Sequence, residues 1–272
     1  MLDSDLAKLD APLVTGMMFS SSLFGVTIAQ SLYYFRHYPN DATLIKAFVV
    51  TIMVLDIAHT IALSWATYFY YLVNMLGENM PIPLLVQGYI GYTVITLVQC
   101  AYTLRVWRLG RHKSVVFILL LTSLLQLASG LGMNIFVTKL KTTASMHADI
   151  TEVVFGGMQL ASSAFCDILI TTSLVVYLRR DPSPFRETRN MVDRILLFYI
   201  NIGLATCIVS VVTLATWFAM PGNYIFSTPH LLLGKVYINS LLVSLNARKR
   251  MGKLGLLGST TGYLNEIHLD DM

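Results

Sequence analysis

Residues 43–71 read TLIKAFVVTIMVLDIAHTIALSWATYFYY, and this stretch decides the fold. Beyond Lys46 near its start, Asp56 and His59 are its only charged or imidazole side chains. It shows no period-two alternation, so it reads as a helix apolar all round rather than as a barrel strand. It is long enough to cross about 30 Å of hydrocarbon, which takes roughly 20 helical residues.

Working outward, six further blocks follow the same pattern. The helices are expected at Pro12–Phe35, Thr43–Tyr71, Pro83–Trp107, Ser114–Thr138, Glu152–Leu178, Asp193–Phe218 and Tyr224–Asn246. Turn chemistry separates them: Tyr38-Pro39-Asn40-Asp41, Gly77 to Pro81, Arg179 to Pro184 and Met220 to Asn223. Composition agrees, with 12% charged residues and 55% hydrophobic ones, where a soluble domain averages about 25% charged. The mean hydropathy is +0.64. The chain is thus an all-α integral membrane protein, a seven-helix bundle over residues 1–251, followed by a Gly- and Ser-rich tail at 252–272 read as disordered. The N-terminus is acidic, so the first block reads as a retained helix rather than a signal peptide.

Of the 19 lysines and arginines, fifteen fall in the first, third and fifth connections, the adjoining helix ends and the tail. Three fall on the opposite side. Basic residues are retained on the cytoplasmic side, so the N-terminus is expected outside and the C-terminus in the cytoplasm. The partners expected are the lipid bilayer, with anionic headgroups against the basic loops, and a small-molecule ligand. Nothing in the sequence points to nucleic acid. Cys100, Cys166 and Cys207 all lie within apolar blocks and read as packing residues.

Ionisable groups at mid-membrane depth cost about 2.5–3.5 kcal/mol each on insertion scales, so each needs a partner or a task. Asp56 and His59 share one face of the second helix, Asp167 lies near the middle of the fifth, and Lys235 near the middle of the seventh. Similar depth predicts one shared cluster. Lys235, Asn239 and Asn246 fall on one stripe. Two readings of the cluster stand side by side: a ligand, ion or proton site, and an ion pair that fixes helix register. Gln99 is kept with the candidates, while Gln126, Asn134 and Asn201 read as hydrogen bonds between helices. Gly130, Gly132, Gly156 and Gly157 read as points of close helix approach. No motif with metal-ligand spacing and no Ser-His-Asp arrangement occurs, so neither an enzyme nor a cofactor is expected.

Three classes of function share this topology. A receptor or sensor fits the helix count, although the third helix ends Arg105-Val106-Trp107-Arg108, without the acidic-Arg-aromatic triplet of G-protein-coupled receptors. A small-solute transporter with three-one-three helix architecture fits a faint similarity between 31–36 and 173–179. A retinal protein would suit Lys235, but Leu231 stands where microbial rhodopsins carry aspartate.

The run Lys235-Val-Tyr237-Ile-Asn239-Ser240-Leu-Leu-Val-Ser244-Leu245-Asn246-Ala-Arg248 adds a further signal. With Tyr38-Pro39-Asn40-Asp41, Asp56-x-x-His59 and Gln99 followed by Arg105-Val106-Trp107, it resembles a family of seven-helix proteins of basidiomycete fungi. Those proteins carry a domain of unknown function numbered 6534, here expected over the last three helices. The resemblance implies a fold and a fungal membrane, and no activity. It singles out Asp56, His59, Lys235, Asn239 and Asn246. The sequence reading is therefore a receptor-like or sensor protein with a polar site at mid-membrane depth, with the transporter as the alternative.

Overall fold

The structure is a computed structural model that describes residues 2–73, 82–140, 150–179, 186–220 and 224–248. Among these residues seven α-helices follow one another: α1 (Leu2–His37), α2 (Thr43–Val73), α3 (Ile82–Gly110), α4 (Lys113–Leu140), α5 (Ile150–Arg179), α6 (Arg186–Ala219) and α7 (Ser227–Asn246), the last entered through a 3-10 turn at Tyr224–Phe226. No strand occurs among the described residues. The expected turns at 77–81, 180–184 and 221–223 and the tail at 252–272 lie outside the described residues.

The apolar blocks predict the helices well, and most helices run a turn or so beyond them. Two starts differ more. α1 begins at Leu2 and continues through Pro12, well inside the helix, where the ring removes one backbone donor without ending the helix. α6 begins at Arg186, ahead of the apolar block that opens at Asp193.

Among the described residues, five helices are long and apolar enough to cross a membrane: Ala11–His37, Thr43–Tyr68, Ile82–Gly110, Lys113–Thr138 and Ile150–Arg179. In α6, Gly203–Ala219 is the apolar stretch among the residues whose side chains are described. α7 falls outside this set because His230, Lys235, Asn239, Ser240, Ser244 and Asn246 dilute its apolar content. Burial explains how it can do so. Most of α7, from Leu231 to Leu245, is shielded by other helices, whereas the outer helices must dissolve in lipid.

The helices form a closed ring in chain order, α1 against α2 and on round to α7 against α1, and α3 reaches inward to touch both α5 and α7. α2 shows how a sequence chooses its faces. Val49, Ile52, Asp56, His59, Leu63 and Ala66 point inward at alternating spacings of three and four, while Val50, Val54, Ile57, Ile61, Trp65 and Tyr68 point outward. Polar groups sit inside and apolar ones outside, the reverse of a soluble helix. Many threonine hydroxyls inside the helices are satisfied locally. Thr60, Thr67, Thr96 and Thr103, for example, each donate to the carbonyl four residues back. Thr96 also reaches Gln126 on α4 (3.2 Å), and Asn134 donates to the Leu85 carbonyl (3.2 Å), so both act between helices as expected. The side chain of Asn201 lies outside the described residues.

Close approach depends on glycine at the α5–α6 contact. A Cβ placed on Gly156 would lie 2.5 Å from the buried Trp217 ring. Gly156→Val is therefore expected to push Trp217 out of its slot and cost about 1–3 kcal/mol, the usual range for overpacking. Trp fluorescence during unfolding in detergent measures both effects. An unshifted emission maximum with unchanged stability would count against this packing.

Candidate functional site

α7 carries the polar side chains that organise the interior, and it meets a different partner at each level. Lys235 is fully buried. Its Nζ donates to Asp56 Oδ1 at 2.6 Å and to Thr60 Oγ1 at 2.5 Å, both on α2, and lies 4.9 Å from the centre of the Phe24 ring on α1. The Lys235 and Asp56 side chains are 1% and 2% exposed. Residues 56 and 60 present one face because they are one turn apart. Asp56 Oδ2 makes no hydrogen bond within bonding distance, with the Thr27 hydroxyl beside it.

His59 is buried one turn further along α2, where its polar neighbours are Gln87 on α3 and His230 on α7. Its Nδ1 has no hydrogen-bond partner. Gly91 of α3 faces it, and a Cβ there would make ordinary contact, 3.7 Å from His59 Nε2. His230 meets the Tyr92 ring edge-on at 5.9 Å. α2 and α7 run in opposite directions, so both histidines lie beyond the Lys235–Asp56 pair, on the side away from the basic loops.

Asp167 does not join this group, contrary to the expectation of one cluster of four. It accepts a short hydrogen bond from Tyr237 Oη and a long one, 3.5 Å, from Gln99 Nε2. Ser163 lies 3.2 Å from the same tyrosine hydroxyl. The reason is helical geometry. Residues two apart on α7 point to opposite sides, at about 100° per residue. Lys235 therefore faces α2, and Tyr237 faces α3 and α5. Sequence reasoning missed Tyr237, Gln87 and His230. Their only signal was polarity inside apolar blocks, at a depth matching the charges already chosen.

Asn239 and Asn246 do a third job. Asn239 Nδ2 donates to the Leu23 carbonyl (3.2 Å) and to Thr27 Oγ1 (3.1 Å), and Asn246 Nδ2 to the Gln30 carbonyl (2.9 Å). Thr228 Oγ1 donates to the Pro12 carbonyl (2.7 Å). In all three carbonyl contacts donor and acceptor are 216 positions apart, so α1 and α7 run parallel with no slip in register.

At the end of the bundle that holds the basic loops, Arg248 bonds Asp41, and Tyr34 Oη donates to the same carboxylate at 2.9 Å. Tyr38 Oη donates to the Asn246 carbonyl (2.8 Å) beneath the Arg248 guanidinium. Partial burial pushes the Asp41 carboxyl up. The hydrogen bonds from Arg248 and Tyr34 and the nearby Arg248 and Lys46 charges outweigh it, so Asp41 sits below its ordinary 3.8. A lowered carboxylate stabilises the fold above its unfolded value, and that contribution fades as pH falls through the folded one. Arg248→Ala is thus expected to lower stability by up to about 1 kcal/mol above pH ~5, and by less as pH falls below ~4. Melting curves from pH ~2.5 to 7 measure this, and a pH-independent difference would count against the pair.

Residues 163–250 match a family of unknown function (DUF6534). The matched segment takes in most of α5, all of α6 and α7, and with them Asp167, Lys235, Tyr237, Asn239, Asn246 and Arg248. It leaves out Asp56, His59 and Gln99, the partners on α2 and α3. No curated protein and no solved structure matches the chain.

Proposed function

We propose that this multi-pass membrane protein is a receptor-like sensor whose small-molecule site lies at mid-membrane depth between α2, α3 and α7. The carrying observation is the fully buried Lys235–Asp56 pair, with His59, Gln87 and His230 stacked beyond it toward one end of the bundle. The pair is the floor of the site, and the two histidines and the glutamine line its approach. The arrangement suits a polar ligand with a charged group, since buried donors and charges specify a ligand by what they leave unpaired without it.

The split of basic residues supports a cytoplasmic position for the end that holds Arg36, Arg105, Arg108, Arg111, Lys113, Arg179 and Arg248. The N-terminus is then outside, and His59, Gln87 and His230 lie on the outward side of the pair. Anionic headgroups fit the same basic end. α7 links the site to that end, because it carries Lys235 in its middle and its C-terminus leads directly into Arg248. The resemblance supports a fungal membrane.

A small-solute transporter built as three helices, a linker and three more is the second reading. It needs a seam between the two halves that can open. That seam is where α1 and α7 are locked together by three hydrogen bonds in register, which favours the sensor.

The test combines binding and flux. Purified protein is screened by thermal shift against organic acids, amines and sugars, alongside His59→Leu and His230→Leu. The expected result is a saturable shift in the wild type that both variants lose, with no uptake of that compound in proteoliposomes. Saturable uptake of any solute in the panel would sink the sensor reading.

A further inference from the structure

Asp167 is buried in the membrane interior, and among the described residues no lysine, arginine or histidine lies within ion-pair distance. Its neighbours are neutral donors. Tyr237 Oη and Gln99 Nε2 bond it, and the Thr206 hydroxyl stands beside it. Donors converging on a carboxylate favour its ionised form and burial opposes it, so a cation beside Asp167 would supply the balance that no charged group does among the described residues.

A cavity of about 20 Å³ opens against this carboxylate, lined by the oxygen-bearing side chains of Thr171, Thr206 and Tyr237 among others. About 10–15 Å³ is enough for one water, so a single water or a small cation fits. Two details point to the cation. Gln99 Oε1 is buried with no hydrogen-bond partner, while its Nε2 makes only contacts of 3.5 Å, to Asp167 and to Tyr237. A half-turn of the amide would present that oxygen to an ion beside Asp167. In addition, Gly203 holds open the space that Thr171 enters, since a Cβ there would lie 2.1 Å from Thr171 Oγ1.

We propose that this cavity, at the junction of α3, α5, α6 and α7, binds a sodium ion. Asp167 supplies the charge, and Thr206, Thr171 and Gln99 supply neutral oxygens. One carboxylate suits a monovalent ion. Calcium takes six to eight oxygens, commonly with several carboxylates, and magnesium keeps several waters, for which the cavity has no room. Potassium is close to a water in size, and its larger radius makes its attraction to a carboxylate weaker than that of sodium, so it competes poorly. The site is separate from the one proposed between α2, α3 and α7, and stands or falls without it.

The experiment is thermal unfolding in nanodiscs, with NaCl exchanged for choline chloride or KCl at constant ionic strength. The wild type is expected to gain stability saturably with sodium, as binding to the folded state requires, more weakly with potassium, and not with choline. Asp167→Asn should abolish the sodium response. Thr206→Val keeps the charge and removes one oxygen, and should raise the sodium midpoint by about fivefold or more. Identical melting in all three salts would overturn the proposal and leave the cavity to water. A sodium response unchanged in Asp167→Asn would place binding elsewhere and overturn it too. If Asp167→Asn does not fold, an unchanged midpoint in Thr206→Val overturns it.

Discussion

Lys235→Met is expected to lose about 3 to 5 kcal/mol of stability, the largest single-site effect in the protein, because it strands Asp56 as a buried charge without a counter-ion. The 2.6 Å contact and the near-zero exposure of both side chains put the pair in the regime where removing one partner costs far more than removing both. Lys235→Met with Asp56→Asn should therefore recover most of the loss. Unfolding of Lys235→Met, Asp56→Asn, the double variant and the wild type in mixed micelles measures this. A single mutant as stable as the wild type would mean that the pair contributes nothing to folding and that the lysine is held in place against it.

Tyr237→Phe should cost about 1.5 to 3 kcal/mol, the worth of a hydrogen bond to a charged group. Its combination with Lys235→Met carries the sharper result. The two positions are separated by one residue, yet they share no partner: Lys235 bonds Asp56 and Thr60, and Tyr237 bonds Asp167. The double mutant should equal the sum of the singles to within about 0.5 kcal/mol, the behaviour of independent sites. Coupling beyond about 1 kcal/mol would mean that the two carboxylates belong to one network after all.

That second result tests the point at which sequence reasoning stopped. Asp56 and Lys235 were legible as partners because charges in apolar blocks at equal depth have few ways to be neutralised. Asp167 satisfied the same criterion and still went elsewhere. Depth follows from position in a block. The side of α7 that meets α2 rather than α5 follows from how seven helices pack, and uniformly apolar helices carry little sign of it. The two asparagines of α7 were rightly placed on the stripe with Lys235, but their bonds to main-chain carbonyls of α1 are invisible in a sequence, where carbonyls have no identity. Asp41 and Arg248 were both noticed, as turn and as terminus of a motif. Only the parallel course of α1 and α7 brings them together.

The parallel pairing of α1 with α7 also sets the order in which the protein can be completed. The carbonyls of Pro12, Leu23 and Gln30 enter the bilayer on the first helix synthesised, and their side-chain donors arrive on the last. Asp56 likewise waits for a lysine 179 positions downstream. Until the ribosome has delivered α7, the nascent chain holds an unneutralised carboxylate and an unsealed gap between its first and sixth helices. Such an intermediate is what the insertion machinery must shelter and what quality control can recognise. Changes in α7 that are harmless to the finished bundle can therefore still lower its yield.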